Sequence, residues 1–146
     1  MLAPGVGLLA KLFLGNGTLR PELRAALESE GLVLLEEGLR TRIAYRRFKA
    51  PGRRHHGKVV WERAALGISE VRFVVYCRSG RAELIDSAFT APRLSAVDVS
   101  VDGDDAMAIH VDYDRMGEPK VSGEIMIRLR TANAGRIVDE LNARMG

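Results

Sequence analysis

The sequence predicts a mainly β, β-rich α+β domain: an antiparallel sheet of about seven strands, closed by a C-terminal helix and preceded by a short N-terminal helical segment. Three observations carry that expectation. Apolar residues from Leu32 to Arg130 recur with a period of two, β-branched and aromatic residues are enriched over the same stretch, and helical spacing returns only at Thr131–Met145. At 146 residues, with 47% apolar and 28% charged residues, the chain suits one core of ordinary domain size and argues against disorder.

The elements follow in order. Met1–Gly17 is apolar around a single Lys11, too short to span a bilayer and without the basic lead of a secretory signal. It reads either as a short helix packed on the domain or on a second subunit, or as an interfacial membrane anchor. After Gly15-Asn16-Gly17, Thr18 is a candidate N-cap and Pro21 suits a first helical turn. Leu19, Leu23 and Leu27 then form one apolar stripe that ends near Ser29, with Gly31 as the stop.

Candidate strands are Leu32–Glu36, Leu39–Phe48, Lys58–Leu66, Glu70–Cys77, Arg81–Asp86, Leu94–Val101, Ala106–Tyr113 and Val121–Arg130. Glu37-Gly38, Pro51-Gly52, Ser79-Gly80, Pro92, Asp102-Gly103 and Gly117-Glu118-Pro119 punctuate them, mostly with spacings short enough for hairpins and hence antiparallel neighbours. Ile125, Ile127 and Leu129 alternate with Glu124, Arg128 and Arg130, the pattern of a sheet with one wet face. Thr131 is a candidate cap for the last helix, whose apolar stripe is Ala134, Ile137, Val138 and Leu141. The expected organisation is an N-terminal segment over residues 1–31 and a β domain with its helix over 32–146. Cys77 is the only cysteine, which forbids an internal disulfide and fits a cytoplasmic protein, with a buried place in a strand expected.

This order of elements, with the Ser79-Gly80 turn, the strand holding Leu84-Ile85-Asp86, a proline-containing loop and a closing strand Gly123–Arg130 that runs straight into a helix, resembles bacterial pleckstrin-homology-like domains over about Leu32 to Met145. The resemblance implies a strongly bent sheet or partly open barrel of seven strands capped by the C-terminal helix. It also implies a binding or assembly module rather than an enzyme. Eukaryotic relatives grip inositol phosphates with basic residues of the first two strands, and Arg40 and Arg42 sit at the matching strand after Glu36-Glu37-Gly38. That turn is short and acidic here and the closing helix carries no tryptophan, which argues against phosphoinositide binding.

Charge is unevenly distributed. Nine Lys/Arg and one acid, Glu62, lie between Arg40 and Arg63, whereas ten Asp/Glu and three basic residues lie between Glu83 and Glu124. Such a split attracts phosphate, anionic lipid or acidic protein to one region of the chain. The candidate contact residues for an anionic partner are Arg40, Arg42, Arg46, Arg47, Lys49, Arg53, Arg54 and Lys58. Guanidinium forks suit bidentate contacts to either kind of oxyanion. Two readings of the basic segment stay open: a solvated loop whose charges pair with the acidic strands or a neighbouring subunit, or a contact surface for an anionic membrane or an acidic protein. Nucleic acid is disfavoured, because no recognition helix appears and only Tyr45, Phe48 and Trp61 are placed to stack.

Other chemistry finds little footing. His55-His56 lack the i,i+4 spacing of a zinc site, Asp98, Asp102, Asp104 and Asp105 lack the calcium-loop spacing, and no serine has the GxSxG setting. No cofactor, metal or catalytic residue is expected. The reading is a cytoplasmic binding or assembly module, peripheral to the membrane if the basic loop meets lipid. A self-assembling homo-oligomer and a lipocalin-like small-ligand carrier are the alternatives.

Overall fold

The computed structural model of the chain describes residues 17–145. Apart from Gly17, the apolar segment expected to form a first helix or an anchor lies outside the described residues. The fold class is the expected one: mainly β, antiparallel, with a short N-terminal helix and a closing C-terminal helix. Two compact units are distinguished, one of the described residues up to Arg40 with Glu62–Ala88, the other of Thr41–Trp61 with the residues from Phe89 onward. Strands β1 (Leu32–Ala50) and β3 (Val59–Ser69) contribute residues to both.

In the first unit, α1 (Pro21–Ser29) is followed by the early part of β1, the later part of β3, β4 (Arg72–Cys77) and β5 (Ala82–Ala88), in the sheet order β5-β4-β3-β1. Leu19, Leu23 and Leu27 pack on Ala65, Val74 and Tyr76; Leu23 and Leu27 are the buried face of the helix, and Leu19 packs beside them from just ahead of it. Gly67 permits that approach, since a Cβ there would stand 2.8 Å from Leu27 Cδ1. A polar chain runs along this unit: Arg72 donates to Glu30 at 3.0 Å and to Asp86 at 3.1 Å, and the Tyr76 hydroxyl lies 2.7 Å from Asp86. Partial burial alone would lower the Arg72 pKa, but the bonds and charges of Glu30 and Asp86 outweigh it and raise it. Cys77 is buried in β4, and burial together with the Glu62 charge pushes its thiol up to about 11.

Two expectations change here. Helix α1 starts from Arg20 without a side-chain cap, so Thr18 is not its N-cap; Pro21 at the first helical position supplies the start. Nor is Glu37-Gly38 a turn, because β1 continues through it. Gly38 takes the left-handed conformation at φ 71° while its N–H donates to Gly17 O, and Arg63 Nη1 donates to its carbonyl. The Glu37 carboxylate meanwhile accepts from Leu19 N at 2.9 Å. These bonds hold the glycine as a kink within one strand.

The second unit has the order β1-β8-β7-β6, from β6 (Val97–Val101), β7 (Ala106–Asp112) and β8 (Ser122–Arg130), with β2 (Arg53–His55) pairing off β1. Its core is the inward set Ile43, Tyr45, Phe48, Met107, Ile109, Val111, Ile125, Ile127 and Leu129, all buried. The closing helix α3 (Ala134–Met145) lies against β6 and β7 and buries Ala134, Ile137, Val138 and Leu141, the predicted stripe. Thr131 acts earlier than expected: its Oγ1 accepts from Asn133 N, and Asn133 O takes the bond from Ile137 N. Leu94–Ala96, expected to open a strand, instead complete a 3-10 turn, Pro92–Ala96, which Pro92 suits at its first position and in which Leu94 N donates to Ala91 O; Tyr113–Met116 form a single-turn helix α2 after β7.

Strands β1 and β8 pair in regular register from Thr41↔Leu129 to Arg46↔Glu124, then shift so that Lys49 meets Ser122. At this bulge Arg47 adopts φ 49°, and Gly123 opposite it adopts φ 90°. A Cβ on Gly123 would stand 2.2 Å from Arg47 O, and the Gly123 N–H donates to Asp114 of α2 at 3.1 Å. Gly123→Ala is therefore expected to destabilise the protein by about 2–4 kcal/mol, since backbone rather than a flexible side chain must yield. Urea denaturation measures it, and a change below about 0.5 kcal/mol would contradict the close approach.

Candidate anion-binding site

Past the bulge, β1 leaves its regular ladder with β8 and turns back on itself. Phe48↔His55, Lys49↔Arg54 and Ala50↔Arg53 pair across Pro51-Gly52. Proline fixes a negative φ at the first turn position and Gly52 supplies φ 72° at the second, the type II combination. The segment, expected to hold a strand end, a loop and the start of the next strand, is thus a short β-hairpin. Its return to β3 uses a second glycine: Gly57 at φ 71° donates to Tyr45 O while Tyr45 N donates to Lys58 O, a bulge of the G1 kind.

The two faces of the hairpin differ. One is aromatic: His55 stacks on Phe48 with centroids 6.2 Å apart and meets Tyr45 edge-on at 5.0 Å, while Phe48 also touches the Tyr113 ring at 5.5 Å. Arg53 lies over this face, 5.4 Å from the Phe48 ring centre and 5.9 Å from that of Tyr45, and donates to the Tyr45 hydroxyl at 3.4 Å. The other face holds Lys49 and Arg54, directly opposite each other and exposed. Directly opposed positions place Cβ atoms about 5 Å apart, where like charges repel.

Acidic compensation goes elsewhere. Arg128 donates to Asp102 at 2.7 Å, Arg130 to Asp105 at 2.8 Å and Arg115 to Asp98 at 3.3 Å. The Arg130 hydrogen bond and charge hold the Asp105 carboxyl below its ordinary range. Among the described residues Glu124 alone reaches the basic segment, 3.8 Å from both Arg46 and Arg47, and it is already engaged with His110 Nε2 at 2.9 Å. Among the described residues, Arg40, Arg42, Lys49, Arg54 and Lys58 have no carboxylate partner.

Of the eight sequence-predicted contact residues, Arg46, Arg47, Lys49, Arg53, Arg54 and Lys58 come together on the hairpin and its bulges. Arg42 points outward from the middle of β1, and exposed Arg40 belongs to the first unit. Arg53 is engaged by aromatic rings rather than presented alone. The supporting residues Tyr113, Glu124 and Gly123 were not foreseen, since each is remote in sequence and only register brings it near. The histidines take structural roles: His56 Nδ1 accepts from Arg47 N at 3.2 Å, and His55 packs on the rings. No family model matches the chain, and no curated protein is significantly similar to it.

The His55 pKa is lowered from 6.5, first by loss of hydration against the rings and then by the Lys58 and Arg53 charges. A lowered histidine pKa means that the unfolded chain binds the proton more tightly. The contribution of His55 to stability is therefore complete above its unfolded pKa and is lost as pH falls through that value toward the folded one. By NMR titration the His55 pKa should lie below 6.5 in the free protein. Saturating pyrophosphate should raise it, by placing negative charge beside Arg53 and Lys58. A pKa at or above 6.5 in the free protein would contradict the packing described.

Proposed function

We propose that the chain is a non-catalytic binding module of the pleckstrin-homology-like kind, and that its basic hairpin grips the phosphate or carboxylate oxygens of an anionic partner. The observation that carries this reading is the opposed, exposed pair Lys49 and Arg54, with no carboxylate among the described residues to compensate it. An unliganded protein gains nothing from that pairing, whereas an oxyanion between the two cations turns repulsion into two charge-assisted contacts. Arg46 and Arg47, held by one shared carboxylate at 3.8 Å, are placed to exchange it for a ligand. The resemblance to pleckstrin-homology-like domains draws support from the sequence of elements: antiparallel strands in two successive runs, then a closing helix.

The test uses the full chain with two probes, vesicles containing phosphatidylserine and polyglutamate, at low and high salt. Wild type is expected to bind at least one probe, with binding lost at high salt. Lys49→Glu combined with Arg54→Glu should cut affinity at least about tenfold, because two cation contacts are replaced by repulsion, while the melting transition stays in place. Equal binding by wild type and the double variant would refute the assignment.

A further inference from the structure

Resting on the hairpin reading, we propose that the anionic partner is a lipid bilayer, and that the outward sheet face beside the hairpin docks on it with Trp61 seated at headgroup level. Val59 and Trp61 both point outward from β3 and are 41% and 65% exposed. The bulge at Gly57 fixes how β3 meets β1: pairing that continues from Tyr45 and Lys58 carries Val59 alongside Ala44 and Trp61 alongside Arg42. On the other side of β1, Ala44 is opposite Met126, itself 43% exposed. An apolar band of Val59, Trp61, Ala44 and Met126 therefore crosses three strands, with Arg42 and Arg46 rising from the same face of β1.

The character of this face selects its occupant. A tryptophan 65% exposed on a regular strand, among other exposed apolar side chains, marks an interaction surface rather than scattered surface hydrophobicity. A second copy of the same face would set Arg42, Arg46 and Arg128, with Glu124 the carboxylate opposite Arg46, against their own kind, so the net positive charge along β1 and β8 opposes self-pairing. A single nucleic-acid strand would satisfy the cations but needs successive stacking platforms, and Trp61 is the one aromatic on this band among the described residues. A bilayer containing anionic lipid meets every requirement: acyl-chain boundary for Val59 and Met126, carbonyl and phosphate oxygens for the indole N–H, and phosphates for Arg42, Arg46 and the hairpin.

Trp61 is the only tryptophan, so its emission reports this face alone. The full chain is titrated with phosphatidylcholine vesicles with and without phosphatidylserine, and with the same vesicles brominated on the acyl chains. With phosphatidylserine present, the emission should shift to the blue and be quenched by the brominated lipid. Trp61→Ala should weaken vesicle affinity roughly tenfold without moving the melting transition, and Trp61→Phe should fall between. Cosedimentation with Trp61 neither shifted nor quenched would overturn the docking face while leaving the hairpin reading intact. Binding to polyglutamate but not to vesicles would overturn the bilayer in favour of an acidic protein. A Lys49→Glu, Arg54→Glu protein that keeps both vesicle binding and the spectral shift would sink the hairpin reading on which the proposal rests.

Discussion

Everything distinctive about the candidate site starts from the close approach of Gly123 to the Arg47 carbonyl, where no Cβ fits. With Arg47 held at φ 49°, the register of β1 against β8 shifts, and β1 is released to fold over Pro51-Gly52 into the hairpin. A non-glycine residue in the left-handed region costs of order 1–3 kcal/mol, so the surroundings must fix it. They do so through the Gly123 bond to Asp114, the bond from Arg47 N to His56, and the ring cluster of Tyr45, Phe48, His55 and Tyr113. Packing the hairpin by one aromatic face leaves Lys49 and Arg54 on the other.

Electrostatics within the second unit then sort themselves by strand. The carboxylates at Asp98, Asp102 and Asp105 neutralise Arg115, Arg128 and Arg130. Because these acids are consumed locally, Glu124 is the one carboxylate among the described residues that reaches the hairpin cations. Of the acidic strands, β8 supplies the basic segment with one counter-charge, Glu124, which Arg46 and Arg47 share. The surplus positive field at the hairpin is a built feature of register, and it extends onto a face where Trp61 and Met126 are exposed.

Much of the fold was legible because periodicity is written locally. The stripes of α1 and α3 and the inward set Ile125, Ile127 and Leu129 are buried as their spacing predicts. What escaped was decided by partners distant in sequence. Glu37-Gly38 has the composition of a turn, but Gly17 and Arg63 capture its backbone and keep β1 whole. The hairpin strand β2 is only Arg53–His55, too short to show a period against its charged neighbours. For the site, the clustering of basic residues was visible in composition, whereas the opposition of Lys49 to Arg54 needed the Pro51-Gly52 turn position and the pairing register. In the sequence Trp61 is marked only as an aromatic placed to stack; the signal that it faces outward is its alternation with Val60 and Glu62, which becomes readable once β3 is known to have one wet face there.

If opposed cations at the hairpin are kept for a ligand, they cost stability while the site is empty. The direct measurement is the melting temperature of wild type and of Lys49→Gln with Arg54→Gln, across a series from low to high sodium chloride and then with pyrophosphate at matched ionic strength. The account predicts a variant about 1–3 °C more stable than wild type at low salt, a gap that salt closes, and stabilisation by pyrophosphate that only wild type shows. A variant no more stable than wild type at low salt, with equal responses to pyrophosphate, would contradict it.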